Sequence, residues 1–482
     1  MPAPAEVFAR LPPARSDGAA LRASIRAQRT ADGLLLGVLD DDPTGSQAVQ
    51  DVQVVTVLAK SDYAAALAGP AATCFVLTNT RSLGDLAAAR LTSRAARGLI
   101  AVAEQRGARI QLISRSDSTL RGHLMAEVDA LTAVRRQVLG SGFDAVLLVP
   151  AFLEAGRLTA ADIHWARTST GLVPAGETEF ARDPAFGYTS SDLRDFVAEK
   201  SGGAIGRADV RSISLADIRA GGPPAVRDLL AGLQGGTWVV VNATEYSDLE
   251  AVACGALLAE RAGKSFLFRS GPSFVRALSG LEPVPPLRGR QLRPAGAPVK
   301  RGRHGLIIVG SHVGQTSRQV AALRALGATI DVELDVAAVA GGSGDAVTAA
   351  ARQVTDALAR SDVLLYTSRT FLAGHDADDS LATGRRISAA LSRIAAAALA
   401  ARPAWILAKG GITAHDVARH GLAIRRATVA GQLYPGMISV LWPIDAAADA
   451  IGMPYVVFPG NVGDDATLAE VVALLNEEQE RS

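Results

Sequence analysis

The sequence predicts an α/β protein of two α/β domains with mainly parallel sheets and a ligand cleft between them, on three observations. Short β-branched runs alternate with Ala-rich helical stretches along most of the chain, the alternation of a parallel α/β sheet. Several of these runs are apolar on both faces, as strands covered by helices on each side are. The chain has 482 residues, long for one compact domain, and its pattern stops and restarts once.

Residues 1–30 read as a loosely attached N-terminal extension. The first domain is placed at 31–285, with strands expected at Leu34–Leu39, Val52–Leu58, Cys74–Thr80, Arg109–Ser114, Ala145–Pro150, Val210–Leu215, Thr237–Asn242 and Ser265–Arg269. Helix-length segments such as Leu86–Gln105 and Ser247–Arg261 lie between them. From Glu282 to Arg303 the stretch EPVPPLRGRQLRPAGAPVKRGR is rich in Pro, Gly and Arg and has no apolar period, so a linker is placed at 286–303. The second domain, 304–482, restarts with GLIIVGS, TIDVEL, VLLYTS, AWILAKGG and YVVFPG.

Composition narrows the function classes. Forty-nine basic residues against 48 acidic ones leave a net charge of +1. That balance argues against generic binding to nucleic acid or an anionic membrane, both of which need surplus positive charge. Only five of the basic residues are Lys. Cys74 and Cys254 cannot make a disulfide framework or a four-Cys metal site, and a reduced cytoplasmic chain is expected. The N-terminus lacks the apolar segment of a secretory signal, and the longest mostly apolar stretch, near Ala389–Ala408, is interrupted by Arg393, Arg402 and Pro403.

Five segments carry candidate chemistry. In LLLGVLDDDPTGSQAV a buried strand runs into Asp40, Asp41, Asp42, Pro43, Thr44 and Gly45. Ligands of open α/β sheets bind at strand carboxyl ends, and adjacent carboxylates there can hold a metal, accept a hydroxyl proton or bind hydroxyls. ISRSDSTLRGH concentrates Arg115, Asp117, Ser118, Thr119, Arg121, Gly122 and His123, a set suited to a carboxylate and a polyol. VPAFLEAGRLTAADIH offers Glu154, Gly156 and Arg157 to complete an anion site. VGSHVGQTSRQV is a strand, a small polar turn containing Ser311, and a helix whose first N–H groups favour phosphate. ILAKGGITAHDVARHGL places Lys409, Gly410, Gly411, Ile412 and Thr413 between strand and helix, and paired glycines admit phosphate to the backbone. Two further glycine turns hold Gly436, and Gly460 with Asn461. The P-loop pattern GxxxxGK[ST] is missing, and His415 and His420 are five apart rather than four, so neither a P-loop NTPase nor a helical zinc pair is expected.

DDPTG, RSDSTLRGH, PAFLEAGR, TEFARDP, GSHVGQT, KGGITAHDVA, GQLYPG and PGNVG occur in this order over residues 33–475. Together they resemble the four-carbon acid sugar kinase family. The resemblance implies an N-terminal sugar-acid-binding domain, a C-terminal nucleotide-binding domain, and ATP-dependent phosphorylation of acids such as threonate, erythronate and 3-oxo-tetronates. It matches Asp41 and Asp42 to the family's acidic pair and Asp117–Gly122, with Ser118, Thr119 and Arg121, to its acid-sugar side. On that basis Arg115, Arg121 or Arg157 is expected to hold the acid's carboxylate, and Asp42 or Asp117 to act as the catalytic base. Ser311, the loop Gly410, Gly411, Ile412 and Thr413, and Gly460 match nucleotide-contacting positions, and the glycine turns holding Gly436 and Asn461 are expected to line the same cleft. ATP and Mg²⁺ are the expected cofactors, with no metal ligand assigned, and a homodimer is left open. The chain departs from the family pattern at Arg115, where many relatives carry Lys, and at Ile412 and Ala414 in the glycine loop.

Two other readings fit parts of the sequence. D-x-D-x-T after an apolar strand opens the haloacid-dehalogenase-type phosphatases, with Asp40 as nucleophile and Asp42 as acid/base. A non-catalytic sugar-acid-binding protein would need no nucleotide loops.

Overall fold

A computed structural model describes residues 4–42, 45–69, 71–168, 171–294, 296, 301–311, 314–368, 377–434, 437–460 and 462–477, with side chains left out at 377–382. The chain divides into two compact units, Met1–Val284 and Pro285–Ser482.

The strands of unit 1 are β1 (Leu34–Asp40), β2 (Gln53–Val55), β3 (Thr73–Leu77), β4 (Arg109–Arg115), β5 (Ala145–Val149), β6 (Arg157–Ala160), β7 (Ile163–Thr168), β8 (Gly171–Pro174), β9 (Arg211–Ile213), β10 (Thr237–Val241) and β11 (Phe266–Ser270). Its main sheet runs β2-β3-β1-β4-β11-β5-β10-β9, with parallel pairings throughout. β1, β3 and β5 are buried along their whole length, as their unbroken apolar runs require of strands covered on both faces. The helix Asp85–Gln105 shows how the layers lock. Ala88, Thr92, Ala95, Ala96, Leu99 and Ala103 recur at helical spacing and are all buried, and Leu99 packs in a cluster with Leu35, Leu112 and Leu131. Truncating fully buried Leu99 to Ala would cost about 2–5 kcal/mol.

The sheet order contains a reversal. From β1 the chain moves outward to β3 and β2 on one side, then returns to place β4 on the other. The gap between the carboxyl ends of β1 and β4 is therefore a topological switch point, where open α/β sheets bind ligands. The ends are level: Asp40 pairs with Leu77 and with Arg115, and Arg115 with Ser270.

Unit 2 holds β12 (Leu306–Val309), β13 (Thr329–Leu334), β14 (Asp362–Thr367), β15 (Ile406–Lys409), β16 (Arg426–Tyr434), β17 (Ile438–Asp445) and β18 (Tyr455–Phe458). Its order is β13-β14-β12-β15-β18-β17-β16. The pairings from β13 to β18 are parallel, and β17 and β16 join antiparallel. The same reversal recurs, with β14 and β13 on one side of β12 and β15 on the other.

Three findings differ from the sequence expectations. The N-terminal segment is packed, not loose. In its helix Gly18–Ala31, Ile25 is fully buried, Arg22 binds Glu250 at 2.7 Å and Glu282 at 2.6 Å, and Arg29 donates to the carbonyls of Ser279 and Ala71. The Pro- and Arg-rich stretch around residue 290 puts Leu287 and Leu292 into the unit 2 core. Two sheet pieces were not expected. β6-β7-β8 form a small antiparallel sheet in a segment whose polar residues read as loop. β16 and β17 form an antiparallel pair with β-bulges where only a glycine turn was expected.

Candidate functional site

In unit 1 the acidic turn after β1, the turn after β3 and the loop after β4 meet at the switch point. Asp40 is fully buried. Its Oδ1 accepts from Arg115 Nη1 at 2.8 Å and from the Asp42 N–H at 3.3 Å. Burial, with Asp41 and Asp42 nearby and despite Arg115, pushes its carboxyl up to about 7. Its Oδ2 has no hydrogen-bond partner among the described residues, and it lies so close to Gly45 that a Cβ there would sit 1.8 Å away. Asp41 is held by Arg81 at 2.6 Å and by Ser116 Oγ at 2.8 Å. Asp42, partly exposed, is reached by Arg81 Nη1 at 3.2 Å. Burial opposes the Arg81 charge, but Asp41, Asp42 and Asp117 around it outweigh that cost and keep it protonated.

The DSTLRG loop forms the opposite wall. Asp117 accepts from Arg121 Nε at 2.6 Å and from the Thr119 hydroxyl. Burial would raise its pKa, but Arg81, Arg121 and Thr119 hold the carboxyl below the usual carboxylate range. Arg121 also faces Asp183 at 3.6 Å and lies 5.0 Å from the Phe180 ring centroid, so the TEFARDP segment backs this guanidinium. Gly122 has φ +119, and a Cβ there would stand 2.8 Å from Asp41 Oδ2 and 2.9 Å from Ser116 Oγ. Only glycine lets the loop close on the acidic turn. A small cavity lined by Ser116, Asp117, Arg121, Arg269 and Ser270 opens here.

Several residues singled out from the sequence are placed differently. Arg115, expected to meet a substrate carboxylate, is 4% exposed and turned inward onto Asp40. Glu154 is directed to Ser273 at 2.8 Å, Arg276 at 3.5 Å and the Tyr246 hydroxyl, away from an anion site. Arg157 donates to the Ala155 carbonyl, while its buried Nε has no partner among the described residues. Burial lowers its pKa, and Asp117 nearby favours its charge. His123 bonds Asp85 and the Thr80 carbonyl and so ties down the turn carrying Arg81. Pro43 and Thr44 lie outside the described residues.

Sequence reading missed Arg81, Arg269 and Glu127. Arg81 and Arg269 belong to the carboxyl ends of β3 and β11, where the strand-end rule could have found them. Glu127 gave no local signal, because only the fold brings it beneath Ser114, Arg269 and Thr80. Arg269 continues to Ser116 Oγ at 2.7 Å, which completes a buried network up to Asp41.

Unit 2 gathers its glycines at its own switch point. Val309 is level with Lys409, and Lys409 with Phe458, so Ser311, Gly410 and Gly460 leave neighbouring strands side by side. Gly410 has φ +113, and a Cβ on Gly460 would stand 3.0 Å from Ser311 Oγ. The result is a cradle of backbone and small hydroxyls. Thr316 Oγ1 donates to the Gly460 carbonyl at 3.0 Å and lies 3.2 Å from Ser311 Oγ. Gln319 donates to the carbonyls of Val462 and Asp464. Thr413 is buried at the rim, while Ile412 is 57% exposed and follows Gly411 in the helix Gly411–Asp416. Lys409 is fully buried, donates to the Pro459 carbonyl at 3.1 Å and lies over the Phe458 ring. Gly436 and Asn461 lie outside the described residues. Among the described residues no group of three His, Cys, Asp or Glu side chains is disposed to hold a metal, both cysteines are free and buried, and no helix is long and apolar enough to cross a membrane.

Two family descriptions match the chain: a sugar-binding N-terminal domain over residues 36–278 and a nucleotide-binding C-terminal domain over 306–468. No curated protein matches it. A Salmonella typhimurium LT2 protein, provisionally described as a tRNA synthase, is 18% identical with a TM-score of 0.65, covering 91% of this chain and 98% of its own. A Haemophilus influenzae protein of the DUF1537 family is also 18% identical, with a TM-score of 0.58, covering 91% of this chain and 100% of its own. At that identity the likeness is one of fold.

Proposed function

We propose, on the premise that this chain belongs to the DUF1537 family of four-carbon acid sugar kinases, that it phosphorylates a hydroxyl of a four-carbon sugar acid with ATP. The observation that carries this reading is the pairing of two switch-point sites in one chain. Unit 1 holds carboxylates and guanidinium groups suited to a hydroxy acid, within the domain matched as sugar-binding. Unit 2 holds a cradle of backbone and small hydroxyls in which a Cβ on Gly460 would stand 3.0 Å from Ser311 Oγ, within the domain matched as nucleotide-binding.

The residues divide the work by their charge and placement. Arg157, with a donor unpartnered among the described residues, and Arg121 take the acid's carboxylate. Asp117, kept ionised by its neighbours, accepts hydrogen bonds from substrate hydroxyls but is a weak proton acceptor. Asp42, the more exposed member of the Arg81 pair, is the base. Arg81 orients both members of that pair and limits the repulsion between them. The N–H groups and hydroxyls around Gly410, Gly460 and Ser311 hold the phosphates. ATP would supply the phosphoryl group, and a divalent metal bound with it would lessen the repulsion among its phosphate oxygens. Proton transfer comes late in such a loose transfer, so positioning supplies most of the rate.

The phosphatase alternative would need Asp40 as an accessible nucleophile, and its burial against Arg115 and Gly45 supports the kinase instead. A pure binding protein would have no use for the second site. An ADP-release screen with ATP and a divalent metal, across four-carbon acids and their 3-oxo forms, tests the proposal. Folded protein that no acid stimulates would end it.

A further inference from the structure

The loop after β4 holds a strained backbone. Leu120 has φ +67, a left-handed conformation that non-glycine residues keep only where their surroundings hold them there. Two of the holding contacts come from outside the main sheet. His164 on β7 is fully buried, with Nε2 2.7 Å from the Ser118 carbonyl and Nδ1 3.0 Å from Thr159 Oγ1. A carbonyl only accepts, so Nε2 carries the proton and Nδ1 accepts from the Thr159 hydroxyl, which fixes one neutral tautomer. The Tyr188 hydroxyl donates to the next carbonyl, Thr119, at 2.8 Å. The small sheet is anchored in turn. At the tip of its first hairpin the Asp162 N–H donates to Asn242 Oδ1 at 2.8 Å, and Asn242 Nδ2 returns a bond to Asp162 Oδ1 at 2.7 Å.

We propose that His164 and Tyr188 are positioning residues, gripping consecutive carbonyls so that Asp117 and Arg121 stand ready for the sugar acid. The inference rests on the proposed kinase reading and gives the β6–β8 sheet its role: a rigid brace for the acid-binding loop. Neither side chain touches substrate. Burial agrees with the fixed tautomer, since it pushes the His164 pKa down to about 4, and the imidazole stays neutral at working pH.

The test compares His164→Leu, His164→Gln and Tyr188→Phe by steady-state kinetics and thermal unfolding. Tyr188→Phe deletes one hydroxyl and leaves the ring packed edge-on to Phe196, so it stays informative if His164→Leu fails to fold. Loss of one such bond should raise the KM for the acid roughly five- to tenfold, with the KM for ATP unchanged. His164→Gln, whose terminal amide can donate where Nε2 did, should recover most of the affinity. A wild-type protein that turns over acid while Tyr188→Phe and His164→Leu lose only thermal stability, at unchanged acid KM, would overturn the inference alone. A wild-type protein that phosphorylates no acid would overturn the function it rests on.

Discussion

Arg81 Nη2 lies 2.6 Å from Asp41 Oδ1, so the turn after β3 neutralises the acidic turn after β1. Asp41 is 1% exposed, and a carboxylate that deep in the fold needs a counter-charge. Arg81→Ala removes its nearest counter-charge and leaves only Arg115 Nη1 at 4.0 Å, so unit 1 should be destabilised by about 3 kcal/mol, besides the loss of turnover. Adding Asp41→Asn should restore most of the stability and none of the activity. Calorimetric unfolding of both variants checks this. A double variant as unstable as Arg81→Ala would mean that the pair is not what holds the turn.

The division between base and ligand predicts distinct kinetics. Asp42→Asn should lower kcat by about 10²-fold or more at a nearly constant KM, because the proton acceptor is lost while an amide oxygen can still face Arg81. Asp117→Asn should mainly raise the acid's KM. It also frees Arg121 from the 2.6 Å contact that orients it. The opposite pattern would make Asp117 the base.

On the nucleotide side, Gly460→Val would push methyl groups into the cradle, where even a Cβ comes within 3.0 Å of Ser311 Oγ. ATP affinity should drop by at least tenfold, with acid binding to unit 1 retained. Titration calorimetry with each ligand separates the two effects. Unchanged ATP affinity would take Gly460 out of the site.

Strands that are apolar on both faces, such as β1 and β5, were legible because burial leaves them no polar alternation. β6–β8 were not. Their residues, RLTA and IHWART, mix polar and apolar groups because one side serves a small separate core around Trp165, so neither period stands out. The site was half legible for a similar reason. Asp41, Asp42 and Asp117 announce themselves as clusters beside strand ends, whereas Arg81 is a lone arginine in an arginine-rich chain. That Arg115 turns inward follows from its register opposite Asp40, a relation that exists only once β1 and β4 pair.

A buried carboxylate far from the acidic turn gives a prediction about pH. Glu260 lines a cavity with Arg109, Gln111, Arg135, Lys264 and Phe266 at the amino ends of β4 and β11. Burial raises its pKa to about 8, against the pull of Arg109 and Arg135 and a hydrogen bond from the Phe266 backbone. The folded state therefore holds this proton more tightly than the unfolded chain does. Its contribution to stability is complete below the ordinary glutamate value and is lost as pH rises toward and through about 8. Glu260→Gln keeps an acceptor for the Phe266 N–H and cannot ionise. The variant should match wild type near pH 4 and exceed it at pH 9, by on the order of 1–3 kcal/mol, which is a rise of several degrees in the unfolding temperature of unit 1. Thermal unfolding of both proteins across that range checks it. Parallel curves would show that the Glu260 carboxylate is solvated or paired well enough to ionise in the folded protein without cost.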